Sequence, residues 1–228
     1  MAEEQKEKTA EGETKKAKKD RRIPGTRRTI MFMLARFIAL VVFHTICPVK
    51  YHGRERLPGS APYILISNHF SNWDPLINGY PISQDVTYLG KKELTANPVL
   101  SWLFDHLHMI PIDRHNTDMA AVRNCMKALK DGEILGIYPE GTRHHEGIME
   151  QTEDGIALIA LRAGVPVIPM LIATKIRAFH VTHVYIGEDI PTKDLKEKGI
   201  NRESCAAFME RMHDVYREMI RQHEEGKR

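Results

Sequence analysis

The feature that most constrains the fold is a regular alternation, from Tyr51 onward, of short apolar runs with stretches of helical pattern. Apolar runs bounded by turn residues are typical of buried strands, and strands that alternate with helices favour βαβ crossovers. The sequence therefore predicts an α/β fold, with a mixed sheet and helices on both faces. The predicted strands are Tyr63–Ser67, Val86–Leu89, Met109–Ile112, Ile134–Tyr138, Val167–Ile172 and Val181–Ile186.

Helices are predicted between and after these strands. Thr117 can cap the helix that begins at Asp118, and Gly164 ends the helix that begins at Asp154. The last helix carries apolar residues three and four positions apart along one stripe, which indicates packing against the core. At 228 residues the chain has room for one such domain, assigned to residues 50–228, and an N-terminal extension. The predicted helices are Asn97–His106, Asp118–Lys130, Asp154–Ala163 and Arg202–Gln222.

An apolar segment at residues 29–49 precedes the domain and is predicted to form a membrane-associated helix. Its apolar part, Ile30–Cys47, would measure about 27 Å at roughly 1.5 Å per residue, which is borderline for a bilayer span. Arg36 lies well inside it, where a central arginine costs roughly 2.5–3.5 kcal/mol. Basic residues flank both ends, so charge fixes no transmembrane orientation. These observations favour a shallow or re-entrant helix, with a true span and a buried core helix as alternatives.

Residues 1–28 are strongly charged and predicted to form a disordered basic tail. Between Lys15 and Arg28 eight basic residues accompany a single acid, Asp20, although the formal net charge of the whole chain is only +3. So few apolar groups cannot offset the entropy cost of ordering the segment. Its basic half would be attracted to anionic lipid, where each Lys or Arg contributes about 1 kcal/mol. A solvated leader without a role is the alternative.

Three cysteines, Cys47, Cys125 and Cys205, form neither a close pair nor a CxxC motif. This spacing suggests neither a disulfide framework nor a thiolate zinc site. The long charged stretch before the first apolar run is also unlike a secretory signal. We therefore expect the protein in a reducing environment, at the cytoplasmic face of the cell membrane.

A histidine with a nearby aspartate follows the predicted strand Tyr63–Ser67. His69 stands where open α/β sheets place their ligands, and Asp74 lies five residues later. Within one turn this carboxylate can fold back onto imidazole Nδ1, which leaves Nε2 to accept a proton from a hydroxyl. The pair is thus a candidate general base with its orienting group. The structural alternative is that Asp74 caps a helix that begins at Pro75.

Arginines follow two further predicted strands. The segment 138–143, with the sequence YPEGTR, combines turn residues with Arg143, and Arg114 follows Asp113 after the strand Met109–Ile112. Backbone N–H groups of such a turn and the fork of a guanidinium can hold a phosphate. Ordinary turn chemistry and a structural ion pair are the alternatives.

Taken together, these motifs closely resemble the glycerolipid acyltransferase family, which includes the 1-acylglycerol-3-phosphate O-acyltransferases. Asn68 and His69 with Asp74 resemble its NHxxxxD block. Segments 110–114 (IPIDR), 138–143 (YPEGTR) and 165–169 (VPVIP) are similar to its second, third and fourth blocks. Segment 91–94 (KKEL) also looks like a lysine-containing segment of the family, and the resemblance covers about residues 50–190.

The chain departs from this pattern in three places. Residues 106–109 read HLHM where the family's second block usually has a glycine ahead of Asp-Arg, which affects the local backbone shape. Tyr138 stands where Phe is usual, and His144 and His145 replace small residues after the arginine. A different preference for the acceptor headgroup is the consequence expected of these changes.

The resemblance implies that His69, oriented by Asp74, acts as general base on the sn-2 hydroxyl of lysophosphatidic acid, which attacks an acyl thioester. No cofactor and no metal is implied, because acyl-CoA or acyl carrier protein brings the acyl group as a co-substrate. The expected partners are the two substrates and the membrane surface, with acyl carrier protein as the alternative donor and no nucleic acid. The residues that the resemblance assigns to substrate binding are Arg114, Glu140, Gly141, Thr142, Arg143 and Lys92.

Several alternatives remain open at this point. The same chemistry serves other acceptors, namely glycerol-3-phosphate, another lysophospholipid or a lyso-ornithine lipid. A metal-dependent hydrolase is suggested by twelve histidines, among them His106 with His108 and the pair His144–His145, but no HExxH or paired Cys/His spacing accompanies them. A non-catalytic membrane-binding module gives no physical reason for His69, Asp74 and the arginines at strand ends.

Overall fold

A computed structural model describes residues 30–98, 101, 109–112, 119–143 and 147–226. The predicted tail at residues 1–28 and most of the predicted helix Asn97–His106 lie outside the described residues. The strands of the described residues form one sheet of seven, in the order β1-β7-β6-β2-β5-β3-β4. They are β1 Val49–His52, β2 Tyr63–Ser67, β3 Val86–Lys91, β4 Ile110–Ile112, β5 Ile134–Ile137, β6 Val167–Ile172 and β7 Thr182–Ile186.

The sheet is mixed, as the sequence predicts. Strands β2 to β6 run parallel to one another, so their carboxyl ends share one edge. Strand β7 is antiparallel to β6, and β1 lies parallel to β7 at the end of the sheet. All six predicted strands are present with small shifts at their ends, whereas β1 was not predicted because its sequence, VKYH, forms no apolar run.

The described helices begin and end close to the predicted positions where a cap residue marks them. Gly164 has a φ of 63° at the end of α4, a left-handed conformation that glycine adopts without strain. At the start of α6, Asn201 and Ser204 exchange hydrogen bonds in a capping box. The helices are α1 Ile30–Thr45, α2 Asp74–Gly79, α3 Met119–Lys130, α4 Gly155–Ala163, α5 Lys193–Glu197 and α6 Arg202–Glu225, with single-turn 3₁₀ helices at Arg54–Arg56 and Lys92–Ala96.

Hydrophobic clusters cover both faces of the sheet. All residues of β2 are buried, and successive side chains point to opposite faces. Ile64 and Ile66 join a cluster formed with α3, α4 and α6. Tyr63 and Leu65 join a second cluster that includes residues of α1 and α2. The prediction of helices on both faces is thus confirmed for the described helices.

Helix α1 is a surface helix with two unlike sides. Ala39 and Phe43 are buried against the second cluster. Arg36 turns toward the domain, where its guanidinium donates to the carbonyl oxygens of Gly79, at 3.3 Å, and of Ile82. The outward side exposes a set of large apolar residues, and no helix among the described residues is long and apolar enough to cross a bilayer. The exposed set is Met33, Leu34, Phe37, Ile38, Leu40 and Val41.

Candidate active site

His69 is held at the carboxyl end of β2 by the residue that precedes it. The side chain of Asn68 is fully buried and forms two hydrogen bonds with Ile172 of β6, donating at 3.0 Å to its carbonyl oxygen and accepting at 2.8 Å from its N–H. The side-chain amide thereby continues the β2–β6 pairing one step beyond the last backbone pair, Ser67 with Met170. This contact fixes where the chain leaves the sheet.

Asp74 binds the imidazole of His69. Its Oδ2 lies 2.8 Å from Nδ1 of His69, and the same oxygen accepts from the N–H groups of Phe70 at 2.6 Å and Ser71 at 2.7 Å. The other carboxylate oxygen accepts from the Ser71 hydroxyl at 2.8 Å. Because an ionised carboxylate can only accept, Nδ1 carries the proton and Nε2 is the basic nitrogen.

The burial of this pair suits a general base. The side chain of Asp74 is 1% exposed, and that of His69 is 18% exposed. The carboxylate is therefore shielded and fully hydrogen-bonded, while the imidazole reaches the surface of the cleft. All of these bonds of Asp74 go to residues that precede α2, so the alternative of a simple helix cap does not describe its contacts.

Glu140 binds two backbone segments of the site. Its Oε2 accepts from the N–H of His69 at 2.7 Å, and its Oε1 accepts from the N–H of Met149 at 2.9 Å. The residue is buried, at 5% exposure. It lies in the predicted substrate-binding segment, and in the described contacts its oxygens point to the protein's own amides. Its contribution to the pocket is thus to hold the loop that carries His69.

Tyr138 packs its ring on His69. The two rings are stacked with their centroids 4.2 Å apart and an interplanar angle of 24°. The Tyr138 hydroxyl accepts a hydrogen bond of 3.2 Å from the side chain of Asn78 on α2. Burial raises the pKa of Tyr138 well above its usual value, so the hydroxyl stays protonated. Tyr138 thus limits rotation of the imidazole by packing on one face of its ring.

The turn after β5 brings the third motif beside the first. Gly141 has a φ of 64°, which a residue with a side chain adopts only with strain. Thr142 donates its N–H to the Glu140 carbonyl at 2.6 Å, which tightens the turn. The exposed Arg143 then donates to the Asn72 side chain at 3.3 Å, in the loop between His69 and Asp74. Arg143 therefore lies at the mouth of the His69 cleft.

The lysine segment and the second motif meet on the neighbouring strands. Lys91 of β3 is in register with Ile112 of β4, and Lys92 follows directly in a 3₁₀ turn with its side chain exposed. Arg114, predicted to bind the acceptor phosphate, lies outside the described residues. Its strand ends at the same edge of the sheet as β2 and β5, because these strands are parallel.

The fourth motif lies along β6 rather than at the strand end that carries His69. Val167 and Pro169 belong to β6, where they are in register with Ile64 and Ile66 of β2, and the Pro166 carbonyl accepts from the N–H of Ile64 at 2.9 Å. Val167, Ile168 and Pro169 are buried along the strand. Their role is to hold β6 beside the strand that carries His69.

A cavity of about 930 Å³ lies next to the turn that follows β5. The turn contributes Tyr138, Pro139 and Gly141 to its wall, and the rest comes mainly from α3, α4 and α6. Its volume is in the range of small-molecule sites, roughly 300–1,000 Å³. The cavity therefore offers apolar space next to the segment that also contacts His69.

Two groups in the site were not predicted as functional residues. Asn68 and Tyr138 were recognised only as parts of motifs, since their partners Ile172 and Asn78 are distant in sequence. Their positions at the ends of two strands were the available signal. Among the described residues, no group of three histidines, cysteines or carboxylates is arranged to bind a metal ion, and His106, His108, His144 and His145 lie outside that part of the chain.

The fold and site define a class of α/β protein in which a buried carboxylate is hydrogen-bonded to a histidine at the carboxyl edge of the sheet, beside an arginine. The family model described as Acyltransferase matches residues 48–173, more than half of the chain. The chain belongs to this acyltransferase family.

Relatives and a solved structure agree with this assignment. The chain is 32% identical over 123 residues to the 1-acyl-sn-glycerol-3-phosphate acyltransferase of Bacillus subtilis, covering 53% of this chain and 60% of the relative. It is 31% identical over 140 residues to the enzyme of the same name from Pseudomonas aeruginosa, covering 58% and 52%. The chain thus spans only about half to three fifths of these relatives.

The fold is similar to a crystal structure from Thermotoga maritima, that of the 1-acyl-sn-glycerophosphate (LPA) acyltransferase PlsC. The TM-score is 0.61 at 23% identity, covering 86% of this chain and 79% of the other. At this level of identity the comparison shows only that the two proteins share a fold.

Proposed function

We propose that the protein transfers a fatty acyl group from an acyl thioester to the sn-2 hydroxyl of 1-acylglycerol-3-phosphate, giving phosphatidic acid. The observation that carries the proposal is the bond of 2.8 Å between Nδ1 of His69 and the buried carboxylate of Asp74, at the strand end where the family's base is expected. The substrates are those in the names of the B. subtilis and P. aeruginosa relatives.

In the proposed reaction Nε2 of His69 removes the proton of the acceptor hydroxyl as its oxygen attacks the thioester carbonyl. The C–O bond forms, the C–S bond breaks, and the leaving thiolate takes the proton back from the imidazolium. Asp74 favours the protonated imidazole during the step because its negative charge is close and shielded. The reaction uses no cofactor or metal, with acyl-CoA or acyl carrier protein as the donor.

The acceptor phosphate is assigned to Arg114 and Arg143, with Lys92 assisting. The contact of Arg143 with Asn72 supports this assignment, because it brings a guanidinium to the loop that carries the base. A guanidinium there offers two parallel donors to a phosphate. Gly141 and Thr142 shape the turn, and Glu140 holds its backbone to that of His69.

We further propose that the protein works on the membrane surface, at its cytoplasmic face. The exposed apolar side of α1 supports this location, since it is suited to the boundary between headgroups and acyl chains. The orientation of Arg36 removes the main objection to such a helix. Its guanidinium points to the carbonyl groups of Gly79 and Ile82 rather than to lipid.

The first test measures acyl transfer from acyl-CoA and from acyl carrier protein to lysophosphatidic acid in mixed micelles. We expect phosphatidic acid and free thiol in equal amounts, and a loss of at least about a hundredfold in kcat for His69→Ala, because the base is removed. His213→Gln is the matched control, since His213 contacts Thr152 away from the site. Unchanged transfer by His69→Ala would exclude this mechanism, and thiol release without acceptor would indicate a hydrolase.

A further inference from the structure

The segment between β6 and β7, residues 173–181, presents an isolated aromatic side chain to solvent. Phe179 is 81% exposed, more than any other large hydrophobic residue among those described. Its φ is 62°, a left-handed conformation that is unusual and unfavourable for a bulky residue. An exposed aromatic held in an unfavourable backbone conformation calls for a functional explanation.

The segment is fixed at several points and does not hang free. Ile176 packs against the cluster beneath α1. The N–H of Phe179 donates to the carbonyl of Ile46 at 2.6 Å, just beyond the end of α1, and Thr182 donates to Pro48 at 2.8 Å. Phe179 is therefore placed beside the C-terminal end of α1.

The apolar surface of α1 continues onto this segment. Ile46 and Val181 are 44% and 48% exposed, next to the exposed residues of α1. Phe179 adds its ring to the same end of the helix through the bond to Ile46. Apolar side chains exposed by two separate parts of the chain at one end of a helix are typical of an interaction site.

The charges around this surface have one sign. Neither residues 30–50 nor residues 155–187 contain any Asp or Glu. Lys50, Lys175, Arg177 and His180 are exposed there. Segments that combine exposed apolar and basic side chains and contain no acid are complementary to an anionic bilayer, where lipid phosphates lie above apolar acyl chains.

The segment also leads directly to the catalytic loop. It begins after Ile172, which is bonded to Asn68, and the ammonium of Lys175 lies 5.7 Å from the ring centroid of Phe70. Phe70 follows His69 in sequence. A contact between this segment and lipid would consequently set the depth of His69 relative to the headgroups.

We propose that residues 173–181 form a second membrane contact, in which Phe179 inserts between the lipids of an anionic bilayer beside α1. The inference rests on the proposed function in that the acceptor is a bilayer lipid. The two contacts, α1 and Phe179, then define a plane and fix the orientation of the active site, which a single helix cannot do.

The test compares binding of the full chain to sedimented vesicles of equal parts phosphatidylglycerol and phosphatidylcholine. Phe179→Gly is the informative variant, because glycine adopts the left-handed backbone without strain and folding is preserved. We expect its partition coefficient to fall roughly five- to tenfold through the loss of an inserted aromatic side chain. Met119→Ala, which removes an exposed apolar side chain from α3 on the other face of the sheet, should bind as the wild type does.

Activity separates this inference from the proposed function. With a short-chain lysophosphatidic acid kept below its micelle concentration, Phe179→Gly should match the wild type, whereas with acceptor in vesicles it should be slower. Equal vesicle binding by wild type and Phe179→Gly would overturn the inference and leave the proposed reaction standing. The inference would also be overturned if the wild type were a dimer and Phe179→Gly a monomer, because the surface would then contact a second copy of the chain. Reduced vesicle binding without any acyl transfer by the wild type would support the contact and overturn only the proposed reaction.

Discussion

The surroundings of the His69–Asp74 pair fix the geometry of a short sequence motif. Phe70, Ser71 and His69 together direct four hydrogen bonds to one buried carboxylate. These donors hold Asp74 in one rotamer, and Asp74 in turn holds the imidazole tautomer. Glu140 and Tyr138 restrain His69 from its backbone and from its ring face. The imidazole is thus positioned by contacts with the protein's own groups.

Two substitutions of Tyr138 distinguish the contact of its ring with His69 from the hydrogen bond between its hydroxyl and Asn78. In Tyr138→Phe the ring remains on His69, but the bond to the buried Asn78 is lost, so the free energy of unfolding should fall by about 1 kcal/mol. The value of kcat should change by less than about threefold because positioning of the imidazole is retained. Tyr138→Ala should lower kcat much further with little change in KM.

Urea unfolding and steady-state kinetics on both variants check this prediction. If Tyr138→Phe lost as much kcat as Tyr138→Ala, the hydroxyl rather than the ring would be the important group. If neither variant changed kcat, the stacked ring would not position His69.

At this scale the sequence predicted the contact between His69 and Asp74 but not the residues that hold the pair in place. His69 and Asp74 are close in sequence and follow a strand, so one turn suffices to join them. Glu140 contacts the His69 amide from 71 positions away, a pairing that depends on β2 and β5 lying side by side. Periodicity places residues on strands, yet it does not order the strands in a sheet.

Among the elements, β1 shows the limit of pattern recognition most clearly. It is partly exposed, contains two polar residues and pairs only with β7 at the end of the sheet. The central strands, by contrast, are buried on both faces and give the continuous apolar runs from which they were predicted. Edge strands with few buried residues leave no comparable signal.

Acid should weaken the β1–β7 pair. Burial, His183 and Lys50 lower the pKa of His52, whose ring stacks on Tyr185 and lies 3.1 Å from the nearest His183 nitrogen. His223 of α6 also faces this group through its bond to Tyr185. The folded chain then binds fewer protons than the unfolded chain, so this contribution to stability is complete above about pH 6.5 and is lost as the pH falls.

The measurement compares urea unfolding near pH 7.5 and near pH 5.5. The decrease in unfolding free energy between these conditions should be smaller in His52→Gln than in the wild type, because the glutamine does not titrate. His180→Gln, at an exposed position outside the cluster, should keep the full decrease. An equal decrease in all three proteins would show that His52 does not contribute to the pH dependence.

For the whole molecule, the packing of α1 on the sheet connects the candidate site to the surface proposed to bind the membrane. The helix packs on the face of the sheet that also holds α2, and α2 begins at Asp74. Any tilt of α1 would therefore move the surface proposed to bind the membrane relative to the catalytic pair. The sequence indicated the apolar helix, but its contact face could not be deduced because apolar residues surround it on most sides.

Arg36 should be the main polar anchor of α1 on the domain. Its guanidinium bonds to the carbonyls of Gly79 and Ile82, and it lies 5.8 Å from the ring centroid of Tyr80. Arg36→Met keeps an apolar stem of similar length and removes these bonds, which are worth about 1–3 kcal/mol when charged. Amides of α1 should then exchange with solvent roughly tenfold faster, while those of β2 and β5 are unchanged. Hydrogen exchange followed by mass spectrometry measures both regions in one experiment, and Arg217→Met, on the exposed side of α6, is the control.

Activity on vesicle-bound acceptor should fall in Arg36→Met and activity on a monomeric short-chain acceptor should not, because only the orientation of the helix is altered. Unchanged exchange in α1 would mean that packing of Ala39 and Phe43 alone holds the helix, and that the arginine is oriented inward only to avoid lipid.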